Sequence, residues 1–424
     1  MILRPYQEQA IARVRDHYAA GDRRVLLVGP TGFGKTATAS ALMATAVSRK
    51  KRVLFVVHRR EIIADTVRRL RAEGLSVGLV LAGESADATA SIQVASIQTL
   101  TARGGAPPAD LVVWDEAHHV AALTYKALAE QYPRAFHLGL TATPERSDGC
   151  GLADSYDALV EATTIAELQH DGYLAHCDAV CSAESGRALA ATEWDAWREH
   201  GSTRRTVIFA KHCARGREIV DHIPGSAIVT GTTPRKERAA ILQSFADGHV
   251  TALVNVGVLT EGWDCPQADT VILARPYASV GPYLQCAGRV LRAYGTKRAL
   301  IVDLCDAVRT HGMPQAKREW SLEGDAVKKK ATRPRLCSAC GACRRGDEVV
   351  CWRCSTAHPP PEVIEVAPRS LSAYSEAAGD EWTETKAASY TQLLAAAVRR
   401  GYSRGWAAHR FAEKWNHWPM RGAS

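Results

Sequence analysis

A chain of 424 residues with 46% hydrophobic and 23% charged residues is too long for one typical core and too well balanced to be disordered, so two large domains with small appendages are expected. The net charge of +8 favours a polyanionic partner, while the lack of any apolar run of about 18 residues argues against a membrane-spanning class and a membrane partner. The opening MILRPYQEQA has neither the apolar core nor the cleavage site of a secretory leader, so a cytoplasmic protein is expected, whose 12 cysteines serve as core hydrophobes or metal ligands rather than disulfides.

Short apolar runs at 25–28, 53–57, 92–95, 111–114 and 136–140 alternate with helix-like stretches, the pattern of a parallel sheet flanked by helices. GPTGFGKT at 29–36 follows the first run directly, as a phosphate cradle at a strand end does. Gly29, Gly32 and Gly34 permit a tight turn that aims backbone N–H groups inward, Thr31 lies in the same loop, and a helix starting near Lys35 adds its positive end. Lys35 is expected on the β- and γ-phosphates of a triphosphate, and Thr36 on Mg2+.

Ligands of open parallel sheets gather at the carboxyl ends of strands, and polar clusters recur there. After LVVW comes Asp115-Glu116-Ala117-His118, where Asp115 can reach Mg2+ through water and Glu116 can orient or deprotonate a water attacking the γ-phosphate. A solvated acidic loop is the bland alternative, disfavoured by the preceding strand and by Lys35 lying 80 residues earlier. After the fifth run, Thr141-Ala142-Thr143-Pro144 supplies small hydroxyls able to bond the acidic loop or a phosphate.

A second series of runs at 206–210, 226–229, 251–256, 270–273 and 299–303 predicts a second domain of the same kind. Within it, QCAGRVLR at 285–292 places Gln285, Arg289 and Arg292 three or four apart on one helical face, where the arginines could act as fingers on a γ-phosphate bound to the other domain. The expected organisation is an α/β lobe over 1–165, a linker over 166–203, a second α/β lobe over 204–310, a basic linker over 311–335, a cysteine module over 336–357, a spacer over 358–388 and a helical module over 389–424. In the cysteine module, Cys337-x-x-Cys340 and Cys351-x-x-Cys354 have zinc-ribbon spacing and would hold Zn2+, with Cys343 a fifth candidate.

Taken in order, GPTGFGKT, VVHRRE, ASIQTL, DEAH, TATP, VIFA, TGTTPRKER, NVGVLTEGWD and QCAGRVLR resemble the motif set of the superfamily 2 DEAD/DEAH-box helicases over roughly residues 1 to 305. The resemblance implies two tandem RecA-like parallel-sheet domains, ATP and Mg2+ in the cleft between them, and nucleic acid across the top of both. It casts Lys35 and Thr36 as phosphate and metal ligands, Asp115 as the Mg2+ ligand, Glu116 as catalytic base, and Arg289 and Arg292 as fingers. It further implies that Gln7 reads adenine with Tyr6 and Arg4 nearby, that Gly262 and Asp264 line the cleft, and that His58, Arg59, Arg60, Gln98, Thr99, Thr230 and Thr232 touch the nucleic-acid backbone. Short polar side chains of this sort grip phosphates without reading bases.

DEAH is followed by His119, and long accessory domains of the RNA-processing enzymes are lacking, so the core looks like the branch of restriction-enzyme motor subunits and RadD-like repair helicases, with DNA favoured over RNA. The final segment resembles a helical module of phage and prophage helicase-like proteins; its arginines and Tyr402, Trp406, Trp415 and Trp418 suit either base stacking or a small core. The function implied is an ATP-dependent DNA helicase or translocase of repair, recombination or replication. Single-stranded, duplex or forked DNA would be its partner, together with single-strand-binding, recombination or replication proteins. A duplex translocase that never separates strands, and an ATP-switched nucleic-acid-binding scaffold, are the alternatives.

Overall fold

The computed structural model describes residues 3–57, 60–81, 87–103, 106–119, 123–146, 151–181, 192–259, 263–323, 335–337, 339–344, 349–358, 384–399, 407, 410 and 411. Its apolar runs assemble into two parallel sheets. The first lobe is built from α1 (Pro5–Ala20), β1 (Arg24–Val28), α2 (Lys35–Ser48), β2 (Val53–Val57), α3 (Arg60–Ala72), β3 (Val77–Val80), β4 (Ile92–Ser96), α4 (Ile97–Arg103), β5 (Leu111–Trp114), α5 (Leu123–Ala129), β6 (Phe136–Thr141), β7 (Ala158–Glu161) and α6 (Ile165–His170). Its sheet order is β3-β4-β2-β5-β6-β1-β7, every neighbouring pair parallel. Helices cover both faces of such a sheet, which is why VLFVV of β2 and LVVW of β5 are buried at every position instead of alternating.

The second lobe comprises β8 (Cys177–Cys181), α7 (Glu193–His200), β9 (Thr206–Ala210), α8 (Cys213–His222), β10 (Ala227–Val229), α9 (Arg235–Asp247), β11 (Ala252–Asn255), β12 (Thr270–Ala274), α10 (Val280–Ala287), β13 (Ala299–Asp303) and α11 (Ala307–His311). The order is β10-β11-β9-β12-β13-β8, again all parallel. The stretch read as a linker over 166–203 therefore contributes an edge strand and a helix: β8 pairs with β13 from Cys177↔Ala299 to Cys181↔Asp303. CDAVC escaped notice because the edge position tolerates an aspartate, Asp178, which meets the Arg298 guanidinium at 2.8 Å.

The segment read as a basic linker also differs at its start. Residues 312–323 return to the first lobe, where the Leu322 carbonyl accepts from the Leu152 and Ala153 N–H groups at 2.7 and 3.0 Å. Beyond it, β14 (Arg335–Leu336) and β15 (Cys343–Arg344) form an antiparallel pair that docks on β8. Ala342 bridges Val180, and the Cys181 N–H donates to the Gly341 carbonyl at 3.2 Å, so the cysteine module rests against the outer edge of the second sheet. Arg353 ties it down from the other side, donating to the Cys340 carbonyl and to Glu199 of α7 at 2.8 Å.

Residues 361–424 form a separate unit. Among its described residues, α12 (Glu384–Arg399) carries Tyr390 and Ala397, buried with Ala407 and Phe411; the Tyr390 and Phe411 rings meet edge-on at 5.4 Å. Tyr402, Trp406, Trp415 and Trp418 lie outside the described residues. Among the described residues no helix is long and apolar enough to cross a membrane.

Gly341 has φ +69°, and a Cβ there would stand 2.6 Å from the Cys181 carbonyl oxygen. Gly341→Ala is expected to loosen the module from β8 and cost about 2 kcal/mol, read as a fall in thermal midpoint with the far-UV spectrum of both lobes retained.

Candidate nucleotide site and metal centre

Because all strands of the first sheet are parallel, the loops after β1, β2, β4, β5 and β6 leave from one rim, and the motifs gather there. The loop after β1 turns through Gly32 and Gly34 at φ +96° and +91°, a region that only glycine enters without strain, and α2 begins at Lys35. A Cβ at these glycines would also be crowded: on Gly34 it would meet Gln7 Nε2 at 2.5 Å, and on Gly32 it would meet Leu174 Cδ2 at 2.6 Å, so those side chains would have to shift. Phe33, between them, is fully buried against Tyr6, ring centroids 5.4 Å apart.

Lys35 Nζ donates to the Gly29 carbonyl at 3.3 Å. Burial pushes the pKa of this ammonium down; the nearby carboxylates of Glu116 and Asp115 pull it up, and Arg289 and Arg292 push it down. The first lobe thus contributes a lysine and two carboxylates, and the second lobe two arginines, to a single electrostatic cluster. Asp115 is buried at the end of β5. Glu116 adopts the left-handed conformation, φ +50°, a strain of about 1–2 kcal/mol for a residue with a Cβ. Its Oε2 is buried and, among the described residues, makes no hydrogen bond; it lies 3.5 Å from His118 Nδ1, which itself bonds the Thr141 hydroxyl at 3.1 Å. A buried carboxylate oxygen without a hydrogen bond is costly in a finished fold.

Arg289 is buried, its guanidinium donating to the Trp263 carbonyl. Burial and neighbouring Arg292 lower its pKa, and Glu116 across the cleft raises it. Arg292 pairs with Asp264, Nε to Oδ1 3.1 Å, and its Nη1 would lie 3.3 Å from a Cβ on Gly32. The arginines do not share a helical face, as their spacing suggested. α10 ends at Ala287, Arg289 sits in the following turn, and Arg292 forms an antiparallel bridge with Leu174. Gly288 packs on Thr31, and a Cβ on Gly281 of α10 would touch Thr143 Oγ1 at 2.9 Å, so the phosphate loop and the TATP segment both meet the second lobe.

Gln7 is buried beneath the loop, its Nε2 donating to the Phe33 carbonyl at 3.0 Å and its Oε1 accepting from the Arg4 N–H at 2.9 Å. Arg4 is exposed, and its guanidinium lies 4.4 Å from the centre of the Tyr173 ring. Of the residues assigned to nucleic acid, Gln98 is exposed on α4, Thr99 is buried with its hydroxyl 2.8 Å from that of Ser96, and Thr230 and Thr232 share a hydroxyl contact of 3.0 Å after β10. His58, Arg59 and Gly262, and the side chain of Arg60, lie outside the described residues. Sequence reasoning missed Tyr173, Leu174 and Trp263, whose roles come from contacts that no local pattern announces.

Two family models match this framework: residues 1–146 match "Type III restriction enzyme, res subunit", and residues 190–294 match "Helicase conserved C-terminal domain". The chain belongs to helicase superfamily 2. A 51.5 kDa protein of a Lactococcus phage is 25% identical over 78% of this chain and 77% of its own length. A DNA 3'-5' translocase of Sulfurisphaera tokodaii, XPB2, is 26% identical over 71% of this chain and 81% of its own. Two yeast relatives are longer, the chain spanning 58% and 50% of their lengths. In fold, the fragment described as an HsdR subunit of a type I restriction enzyme from Vibrio vulnificus matches with TM-score 0.61 and 21% identity, covering 74% of this chain and 68% of that one.

ATP hydrolysis is what helicase-family homologues imply, and the residues fit it. Two glycine-dependent turns shape the loop after β1, Lys35 and Thr36 start α2 directly behind it, Asp115 lies buried at the end of β5, and Glu116 follows it with a buried carboxylate oxygen. In the cysteine module the sulfurs of Cys337, Cys340, Cys351 and Cys354 lie within 4.8 Å of one another. The Cys337–Cys354 and Cys340–Cys351 separations are both 3.6 Å, near the ~3.8 Å edge of a tetrahedron with ~2.3 Å Zn–S bonds. Hydrogen bonds from Thr356 bring the Cys354 thiol down to about 6, whereas burial and the neighbouring cysteines push Cys340 up to about 12, a cost that a bound cation would offset. His358 Nε2 lies 3.2 Å from the Cys337 sulfur, able to orient that ligand. Cys343, the fifth candidate, stands apart, its sulfur 3.0 Å from that of Cys181 on β8.

Elemental analysis is expected to find one zinc per chain, and Cys351→Ser to lose it together with several degrees of thermal stability; an unchanged metal content would remove the ion from this site. Gly32→Ala is expected to weaken ATP binding by about tenfold, measured by titration, because the new methyl needs a strained φ and displaces Leu174.

Proposed function

We propose that the protein is an ATP-driven DNA motor, a helicase or translocase acting in repair, recombination or replication. The observation that carries this reading is the charge cluster built from both lobes, in which Lys35, Asp115 and Glu116 of the first lie within electrostatic reach of Arg289 and Arg292 of the second, with the Arg292 guanidinium against Gly32 of the loop after β1. A triphosphate bound by the loop after β1 presents its γ-phosphate to that cluster. Lys35 holds the β- and γ-phosphates, Glu116 orients and deprotonates the attacking water, and the arginines neutralise charge that develops during phosphoryl transfer. A magnesium ion held through Thr36 and Asp115 would neutralise phosphate charge from the opposite side.

Arginines from the second lobe are in place only when the lobes are together, so hydrolysis is coupled to closure, and loss of the γ-phosphate removes the anion that held them. Gln98 and Thr232, exposed at the sheet rims, can grip a strand's phosphates without reading sequence. The archaeal relative's name, DNA 3'-5' translocase, supports DNA as that strand, as does the net charge of +8.

The test is steady-state ATPase activity at fixed salt without nucleic acid and with single-stranded DNA, duplex DNA, forked DNA or RNA. DNA is expected to stimulate turnover and RNA to do so much less; indifference to every polymer would sink the motor reading. Lys35→Ala should abolish turnover. Glu116→Gln should bind ATP normally and hydrolyse it at least about a hundredfold more slowly, and Arg289→Ala should spare ATP binding while lowering kcat by about a thousandfold.

A further inference from the structure

Residues 173–175 fall in the stretch between the lobe motifs, yet they touch both halves of the nucleotide site. The Tyr173 ring is half-buried. The Tyr6 ring meets it edge-on at 5.2 Å, and the Arg4 guanidinium covers it at 4.4 Å. Tyr6 and Gln7 in turn both donate to the Phe33 carbonyl, in the middle of the phosphate loop, at 3.3 and 3.0 Å. The ring is therefore one side chain away from the loop, on the side where the residue implied to read adenine also stands.

Its placement is rigid. The Leu174 side chain presses on Gly32, the Leu174 backbone bridges Arg292, and the Ala175 N–H donates to the Leu291 carbonyl at 2.8 Å. Pinned to the phosphate loop on one side and to the arginine turn on the other, the segment presents an aromatic face whose cover is a replaceable one. Arg4 is exposed, and the hydrogen bond its guanidinium makes to the Tyr6 hydroxyl, 2.9 Å, leaves it further donors. A planar, electron-poor nucleobase can take that position on the ring or slide between ring and guanidinium, both of which stack on bases.

We propose that Tyr173 is the residue on which the nucleobase of the bound triphosphate stacks. The proposal rests on the reading of this site as an ATP site, and it adds a specificity residue from outside the helicase motifs. Equilibrium binding of ATP and of inorganic triphosphate to the full chain tests it, because only ATP carries a base. Tyr173→Ala is expected to raise the Kd for ATP by about tenfold while leaving that for triphosphate unchanged, and Tyr173→Phe to retain ATP affinity. Equal loss of both ligands in Tyr173→Ala, or no loss of ATP, overturns the proposal. Binding is measured without turnover, so absence of hydrolysis by the unaltered chain would defeat the motor reading and leave this one standing.

Discussion

Parallel strand pairing throughout both sheets is the constraint on which the rest depends. It sends every carboxyl-end loop of a lobe to one rim, so residues separated by 80 positions, Lys35 and Asp115, come within electrostatic reach without any local signal linking them. Parallel sheets must also be covered on both faces, which buries the strands completely and leaves the rim as the place where charge can collect. Desolvation works against that collection. Lys35 and Arg289 both lose affinity for their protons on burial, and each is supported by the Glu116 carboxylate. The cluster is stable as a set, since removing one member leaves the others buried and uncompensated.

Backbone strain is also found at this place. Glu116 is one of four residues other than glycine with positive φ among the described residues, and its side chain keeps an oxygen without a donor. From it a run of contacts leads to the second lobe: His118 reaches the Thr141 hydroxyl, Thr141 bonds the Thr143 carbonyl at 2.6 Å, and Thr143 lies against Gly281 of α10. The same helix leads into the turn that carries Arg289. A change in the separation of the lobes must therefore alter the surroundings of the acidic motif and of the arginines together.

The cysteine module answers a different physical problem. An edge strand exposes unpaired N–H and C=O groups, and β8 is the outer strand of the second sheet. The bridge from Val180 to Ala342 and the Cys181–Gly341 hydrogen bond cover part of that edge. Small knuckles of this size bury too little apolar surface to fold unaided, and the four cysteine sulfurs lie at separations from which a metal ion could supply what the core lacks. Arg353, within the second cysteine pair, then locks the module to α7.

The sequence by itself determined the α/β class, the division into two similar lobes, the glycine-dependent loop after β1, the acidic segment after β5 and the gathering of the two cysteine pairs, because each is a local pattern: continuous apolar runs, glycines at forced turns, or cysteines at fixed spacing. It did not reveal β8 or the return of residues 312–323 to the first lobe, since an edge strand and a tethered loop carry little periodicity. The even spacing of Gln285, Arg289 and Arg292 suggested one helical face, but the helix ends at Ala287, where Gly288 packs against Thr31, and the arginines arrive by a turn and a bridge. Only the tertiary structure decided that Tyr173, Leu174 and Trp263 border the site and that the Cys343 thiol lies against the Cys181 thiol, both free, outside the cluster of the other four cysteines. Such contacts join residues far apart in the chain, so they exist only once strand order and lobe packing have brought the segments together.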